Sequence, residues 1–249
     1  ETAVIPTAVL STHTGGFDGF TYRDLTDDIL PISNHWRNLG INFDAIYTGF
    51  LGSTRQVDII IEVLNTFGKN CLKIVDPAMA DDGKMYTTFD SGFADEMKKL
   101  CKKADIVVPN VTEACFFLKR DFQKPPYKKK YIEGLLRDLC ELFGSKVVLT
   151  GVCFNDSELG AAVIETKSGG ISYHFPKKIP QNYPGSGDIF ASVLTAALMK
   201  DFSLEKSAEI AAEFTAKAVE ATFCAKTEPR YGLNFEGQIP WLIKTLGLM

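Results

Sequence analysis

Histidine and tryptophan are scarce in this chain, with 3 and 2 copies among 249 residues. The histidines, His13, His35 and His174, stand far apart. The six cysteines (Cys71, Cys101, Cys115, Cys140, Cys153 and Cys224) are scattered too, and none forms a C-x-x-C pair. A zinc site built on paired Cys and His is therefore unsupported. Thiols set in apolar stretches such as Ala114-Cys115-Phe116-Phe117 act as small hydrophobes, and the expected compartment is reducing and cytoplasmic. No run approaches the length of uncharged apolar sequence that crosses a membrane. The opening Glu1-Thr2-Ala3-Val4 has neither the basic nor the apolar region of a signal peptide. Net charge is −4. The one basic tract, Lys124 to Lys130, includes Pro125, Pro126 and Tyr127 and reads as a solvated loop entering a helix. Nucleic-acid and membrane partners are therefore not expected.

With 45% hydrophobic and 23% charged residues, the composition is that of a folded globular protein. Short Val- and Ile-rich runs bounded by turn residues predict strands at Val4 to Leu10, Ala45 to Thr48, Cys71 to Val75, Ile106 to Val108 and Lys146 to Thr150. Between them, apolar residues recur at helical spacing: Val57, Ile60, Ile61 and Leu64; Phe93, Met97, Leu100 and Cys101; Ile132, Leu135, Leu136, Leu139 and Phe143. This alternation predicts βαβ units around a mainly parallel sheet with helices on both faces. Gly160 to Glu165 and Gly170 to Phe175 read as an antiparallel hairpin. Two apolar helices follow, Asp188 to Met199 and Leu204 to Phe223, the second capped by Ser203. With no repeat or linker, residues 1–249 are expected to form one α/β domain. Its opening residues read as strand interior, so an earlier first strand is expected to precede Glu1.

In parallel sheets, ligands sit beyond the carboxyl ends of the strands, so polar residues there carry most weight. Pro184-Gly185-Ser186-Gly187-Asp188 opens a helix whose N–H groups can receive an anion, with Asp188 beside them as a candidate base; a simple helix cap is the plainer alternative. Asp76-Pro77 ends a strand, where a carboxylate suits magnesium or merely a turn. Asn110-Val111-Thr112-Glu113 follows another strand, and ordinary helix capping is the plainer account of that pair. Thr150-Gly151 ends a third. Jointly they place an anion hole, two carboxylates and small polar groups on one edge, the equipment of phosphoryl transfer. Walker A, protein-kinase and dinucleotide-binding motifs are absent.

In this order the four motifs resemble the ribokinase-like small-molecule kinases, and within them the pyridoxal kinase branch. Ser11-Thr12-His13-Thr14-Gly15-Gly16 is similar to that branch's substrate loop, Tyr47-Thr48-Gly49-Phe50 to its next strand end, and Asp76 to Tyr86 to its phosphate-side loop. The resemblance implies a three-layer α/β/α fold and ATP-dependent phosphorylation of the 5'-hydroxymethyl group of pyridoxal and related B6 vitamers, giving pyridoxal 5'-phosphate and ADP. It implies Asp188 as base and the N–H groups of Gly185, Ser186 and Gly187 as the phosphoryl cradle. Asp76 and Glu113 would organise Mg2+ and a monovalent cation such as K+. Asn110 and Thr150 would lie near, with Asp81 and Tyr86 close to the ATP phosphates and Tyr183 and Pro184 near adenine. Ser11, His13 and Thr14 would border the pyridine ring and Phe50 would pack on it. A homodimer is implied as well.

Two departures mark the chain. Ser186 stands where Thr or Ala is usual, and Pro184 where His is frequent. The nearest rival is the hydroxymethylpyrimidine (phosphate) kinase branch of thiamine synthesis, which tends to carry a Gln-Asn-Thr-type sequence where this chain has Thr12-His13-Thr14. A non-catalytic metabolite-binding protein of the same fold is the other rival, and Asp188 beside both glycines speaks against it.

Overall fold

The computed structural model describes residues 1–90 and 92–248. The chain opens with a short antiparallel pair, β1 (Ala8–Leu10) and β2 (Tyr22–Asp24), and helix α1 (Thr26–Asn38). Then come β3 (Ala45–Thr48), α2 (Thr54–Phe67), β4 (Leu72–Val75), a small hairpin of β5 (Ala80–Asp81) and β6 (Lys84–Met85), and α3 (Phe93–Cys101). Next are β7 (Ile106–Val107), α4 (Val111–Leu118), α5 (Lys129–Phe143), β8 (Lys146–Val152), β9 (Gly160–Ile164) and β10 (Ile171–His174). Helices α6 (Ser186–Leu198), α7 (Leu204–Cys224) and α8 (Ile239–Thr245) complete the described chain.

The central sheet is six-stranded, in the order β10-β9-β8-β7-β4-β3. β3, β4, β7 and β8 run parallel, while β9 and β10 form the expected antiparallel hairpin. One sheet face is covered by a core drawing on α2, α3, α4 and α5, the other by a core built from α6, α7 and α8. This is the three-layer α/β/α arrangement that the alternation predicted. All six cysteines are free, and only Cys224 is exposed. No helix among the described residues is long and apolar enough to cross a membrane.

Helix faces follow their sequence spacing closely. In α5, Ile132, Leu135, Leu136, Leu139 and Phe143 are all buried, and in α3 so are Phe93, Met97, Leu100 and Cys101. In α2, Val63 joins Val57, Ile60 and Leu64 in the core, leaving Ile61 only partly buried. Ser53 and Ser203 cap α2 and α7 by accepting the N–H groups of Gln56 and Lys206. Six of the expectations about strands concern the sheet and its hairpin; the one for Val4 to Leu10 fails. Only Ala8–Leu10 is extended, and it pairs with β2 outside the sheet. Its place is fixed by buried Gln56, whose Nε2 donates to Thr7 C=O at 2.8 Å and to Thr26 Oγ1 at 2.9 Å. Satisfying that buried amide ties the segment to α2, a constraint that strand propensity does not express.

The side-chain alternation of β structure decides which strand-end residues meet. Ile74, Ile106 and Val148 point into the core beneath α6 and α7, whereas Val75, Val107, Val147 and Leu149 point the other way. Leu136 on α5 is fully buried in the first core. Leu136→Ala is expected to destabilise the protein by about 2–5 kcal/mol through lost burial and a residual cavity. The check is the shift of the urea unfolding midpoint at unchanged m-value.

Candidate active site

Asp76 follows β4 directly, and its N–H continues the ladder by bonding Thr48 C=O at 2.9 Å. Its Oδ1 accepts the Ala78 N–H at 3.2 Å and its Oδ2 the Tyr47 hydroxyl at 3.3 Å. Asn110 follows β7 and bridges to Thr150 in parallel fashion. Thr150 does not end its strand, contrary to expectation. β8 continues to Val152 across an irregularity at Gly151, whose φ of +72° is glycine territory. The Thr150 hydroxyl points back to Pro109 C=O at 3.4 Å.

Helix α6 begins at Gly185, which caps it in the left-handed region with φ +87° and no capping side chain. Asp188 is thus not the helix cap but lies within the first turn, its carboxylate near its own backbone N–H. The first intrahelical bond runs from Ile189 N–H to Gly185 C=O, so the N–H groups of Ser186 and Gly187 have no intrahelical partner and can receive an anion. A Cβ built at either Gly185 or Gly187 would meet no atom within 4 Å, so the space before the helix is open. Asp188 is accessible through that opening. Even so, the surrounding protein desolvates its carboxyl and raises its pKa above the ordinary range.

Glu113 is held differently. It is 2% exposed and forms a capping box with Asn110 at the start of α4. Glu113 Oε2 accepts the Asn110 N–H at 2.9 Å, while Oε1 accepts Met79 N–H at 2.9 Å and Ala80 N–H at 3.4 Å. Asn110 Oδ1 accepts the Glu113 N–H, and its Nδ2 donates to Ala80 C=O at 2.7 Å. Thr112 Oγ1 takes the Gly83 N–H at 3.0 Å. The start of α4 therefore clamps the β5–β6 hairpin that carries Asp81 and Tyr86. Asp81 Oδ1 accepts the N–H of Asp82, and Tyr86 is 40% exposed.

The Ser11 to Gly16 loop is seated by a distant turn. His13 Nδ1 accepts the Gly15 N–H at 3.1 Å and its Nε2 meets Arg230 C=O at 2.6 Å, which fixes the Nε2–H tautomer. The Arg230 guanidinium lies over the Phe17 and Tyr231 rings and is paired with Glu228. A Cβ at Gly15 would lie 3.2 Å from Pro184 Cγ, and one at Gly232 would lie 3.5 Å from Pro184 C=O. Pro184 thus packs against the loop and the turn. Ser11 Oγ accepts the Thr21 N–H at 2.9 Å, within the β1–β2 connection. Both nitrogens of the His13 ring are engaged by backbone groups of the loop and the turn. Thr14 remains exposed.

Phe50 is exposed and its ring stands 5.6 Å from Phe89, which stacks on Phe93. Tyr183 is only 5% exposed. Its ring is part of the interior rather than an open face. Two features escaped sequence reasoning. The Thr12 and Thr48 hydroxyls are buried without a hydrogen-bond partner among the described residues, which calls for a ligand or water. Tyr47 reaches Asp76 from the neighbouring strand.

Burial, then the charge of Asp188, raises the Asp76 pKa; burial, then the charge of Asp76, raises that of Glu113. These carboxylates share no ion pair with Lys or Arg among the described residues. Hard oxygen donors under uncompensated negative charge fit Mg2+. Among the described residues no three His, Cys, Asp or Glu side chains are arranged to grip a metal directly. Glu113 has both oxygens engaged. The fit is therefore to a largely hydrated ion beside Asp76, with Glu113 acting through charge.

A family model described as phosphomethylpyrimidine kinase matches residues 7–231. The chain is 24% identical over 216 residues to a Schizosaccharomyces pombe protein assigned as a pyridoxal kinase, covering 83% of this chain and 62% of that protein. It is 26% identical over 219 residues to the hydroxymethylpyrimidine/phosphomethylpyrimidine kinase of Bacillus subtilis, covering 87% of this chain and 77% of that one. A Bacteroides thetaiotaomicron structure, assigned as a phosphomethylpyrimidine kinase and solved with pyridoxal, superposes with a TM-score of 0.87 at 33% identity. That match covers 97% of this chain and 84% of the other. The chain thus spans less than two thirds of the length of the fission-yeast relative.

Glu113→Gln keeps the shape of the clamp but turns an amide N–H2 toward a backbone N–H. Leaving such a buried donor unpaired costs about 1–3 kcal/mol. The expected outcome is a lower melting temperature together with faster amide hydrogen exchange at Met79 and Ala80. Unchanged exchange there would remove Glu113 from its clamping role.

Proposed function

This chain belongs to the phosphomethylpyrimidine kinase family, and from that membership we propose that it is an ATP-dependent kinase acting on the hydroxymethyl arm of a B6 vitamer. The observation that carries the reading is the open N-terminus of α6 with Asp188 in its first turn. In the proposed step, Asp188 takes the proton of the substrate's primary hydroxyl, and the freed oxygen attacks the γ-phosphorus of ATP. The bond from that phosphorus to the bridging oxygen breaks, and ADP leaves. The carboxyl's raised pKa makes Asp188 a better base than an ordinary surface aspartate. The N–H groups of Ser186 and Gly187, with the helix dipole behind them, hold charge on the transferring group. Mg2+, when bound, would neutralise phosphate charge, with Asp76 and the charge of Glu113 holding it.

Substrate choice between pyridoxal and hydroxymethylpyrimidine rests on the loop. Thr12-His13-Thr14 differs from the Gln-Asn-Thr-type sequence of the pyrimidine branch, and the Bacteroides relative was solved with pyridoxal. The partnerless hydroxyls of Thr12 and Thr48 support a polar ligand between the loop and the end of β3. Phe50, exposed at that end, offers an aromatic wall.

Asp188→Asn is expected to lower kcat by about 10²- to 10⁴-fold while the KM for ATP stays near its original value. A coupled ADP-release assay with ATP, Mg2+ and a panel of pyridoxal, pyridoxine, pyridoxamine and hydroxymethylpyrimidine tests both claims. Preference for hydroxymethylpyrimidine would assign the chain to the rival branch. No turnover with any of the four would favour a binding protein.

A further inference from the structure

We propose that Tyr47 is a positioning residue of the phosphoryl-transfer site, its phenol fixing the Asp76 carboxylate in the orientation the site uses. The inference rests on the reading of Asp76 above, as the carboxylate that holds a hydrated Mg2+.

Sheet register brings the two residues together. Tyr47 on β3 pairs with Ile74 on β4, and Asp76, two residues beyond Ile74, lies on the same face. The ladder persists to that point through the Asp76 N–H to Thr48 C=O bond, so Asp76 is not a loose loop residue. The Tyr47 ring packs against the core beneath α6, the helix that bears Asp188. A ring anchored in that way leaves its hydroxyl little freedom, and the hydroxyl donates to Asp76 Oδ2 at 3.3 Å.

The other carboxylate oxygen is held from the opposite direction. Oδ1 accepts the N–H of Ala78, a residue with φ +36°, outside the regions alanine ordinarily adopts. A carboxylate bonded through both oxygens to fixed groups cannot rotate about its χ2 without losing one bond. The phenol remains the donor throughout, because burial and the charges of Asp76 and Asp188 all oppose its ionisation. Packing against an apolar core requires only the ring, and phenylalanine would serve equally there. The hydroxyl is explained by Asp76.

The test uses Tyr47→Phe, which keeps the ring, with Asp76→Asn as its reference. Calorimetric titration with a non-hydrolysable ATP analogue, in Mg2+ and in EDTA, gives the gain in affinity that the metal confers. Tyr47→Phe is expected to cut that gain about 5-fold, the effect of one lost hydrogen bond. Affinity in EDTA and the melting temperature should stay close to wild type. A full gain in Tyr47→Phe beside a reduced gain in Asp76→Asn would overturn the positioning role and leave the reading of Asp76 standing. A full gain in Asp76→Asn would overturn that reading and the inference with it. Equal weakening with and without Mg2+ would assign Tyr47 to packing alone, and so would also overturn the proposal.

Discussion

Glu113 accepts backbone N–H groups from Asn110, Met79 and Ala80 while 2% exposed, and most of the site's geometry passes through it. A carboxyl group so deep in the protein is tolerated only where hydrogen bonds replace its water. Here the donors come from the start of α4 and from the turn leading into the β5–β6 hairpin. One side chain thereby joins the end of β7 to the hairpin that follows β4. Asn110 and Thr112 complete the join with bonds to Ala80 C=O and from Gly83 N–H. The N-x-T-E segment is thus at once a helix cap and a clamp, two descriptions of the same hydrogen bonds.

A second constraint is electrostatic. Burial raises the pKa values of Asp76, Asp188 and Glu113; the charge of Asp188 adds to the rise at Asp76, and the charge of Asp76 to that at Glu113. The compensating positive field comes from backbone: the N-terminus of α6, where N–H groups lack intrahelical partners. Such a site favours ligands that combine phosphate with a hard cation, since each neutralises what the other leaves. This is the physical basis for reading the cleft as one for phosphoryl transfer.

The third element is a long-range seam. His13 and Arg230, 217 residues apart in sequence, are joined by a single short hydrogen bond. Around it, Phe17, Tyr231 and Pro184 bring together the Ser11 to Gly16 loop, the turn after α7 and the turn that precedes α6. The loop and the two turns thus share one contact set.

Composition and periodicity by themselves determined the layered α/β plan, the buried faces of α3 and α5, the β9–β10 hairpin and the strand ends at Asp76 and Asn110, though not that at Thr150. These follow from local spacing, because a helix or strand must bury its apolar residues at a fixed period. The same reasoning placed Asp188 at the start of α6, where a glycine pair announces a helix entry. Tertiary structure alone decided the rest. Val4 to Leu10 reads as strand, yet buried Gln56 fixes its neighbourhood to α2 rather than to the sheet. His13 belongs to a loop motif legible in the sequence, yet the Arg230 carbonyl that seats its ring is revealed by no local pattern. Tyr47 reads as an ordinary strand residue, and only the β3–β4 register sets its hydroxyl beside Asp76. In each case the deciding interaction joins groups distant in sequence, and a buried polar group must find its partner wherever the fold supplies one.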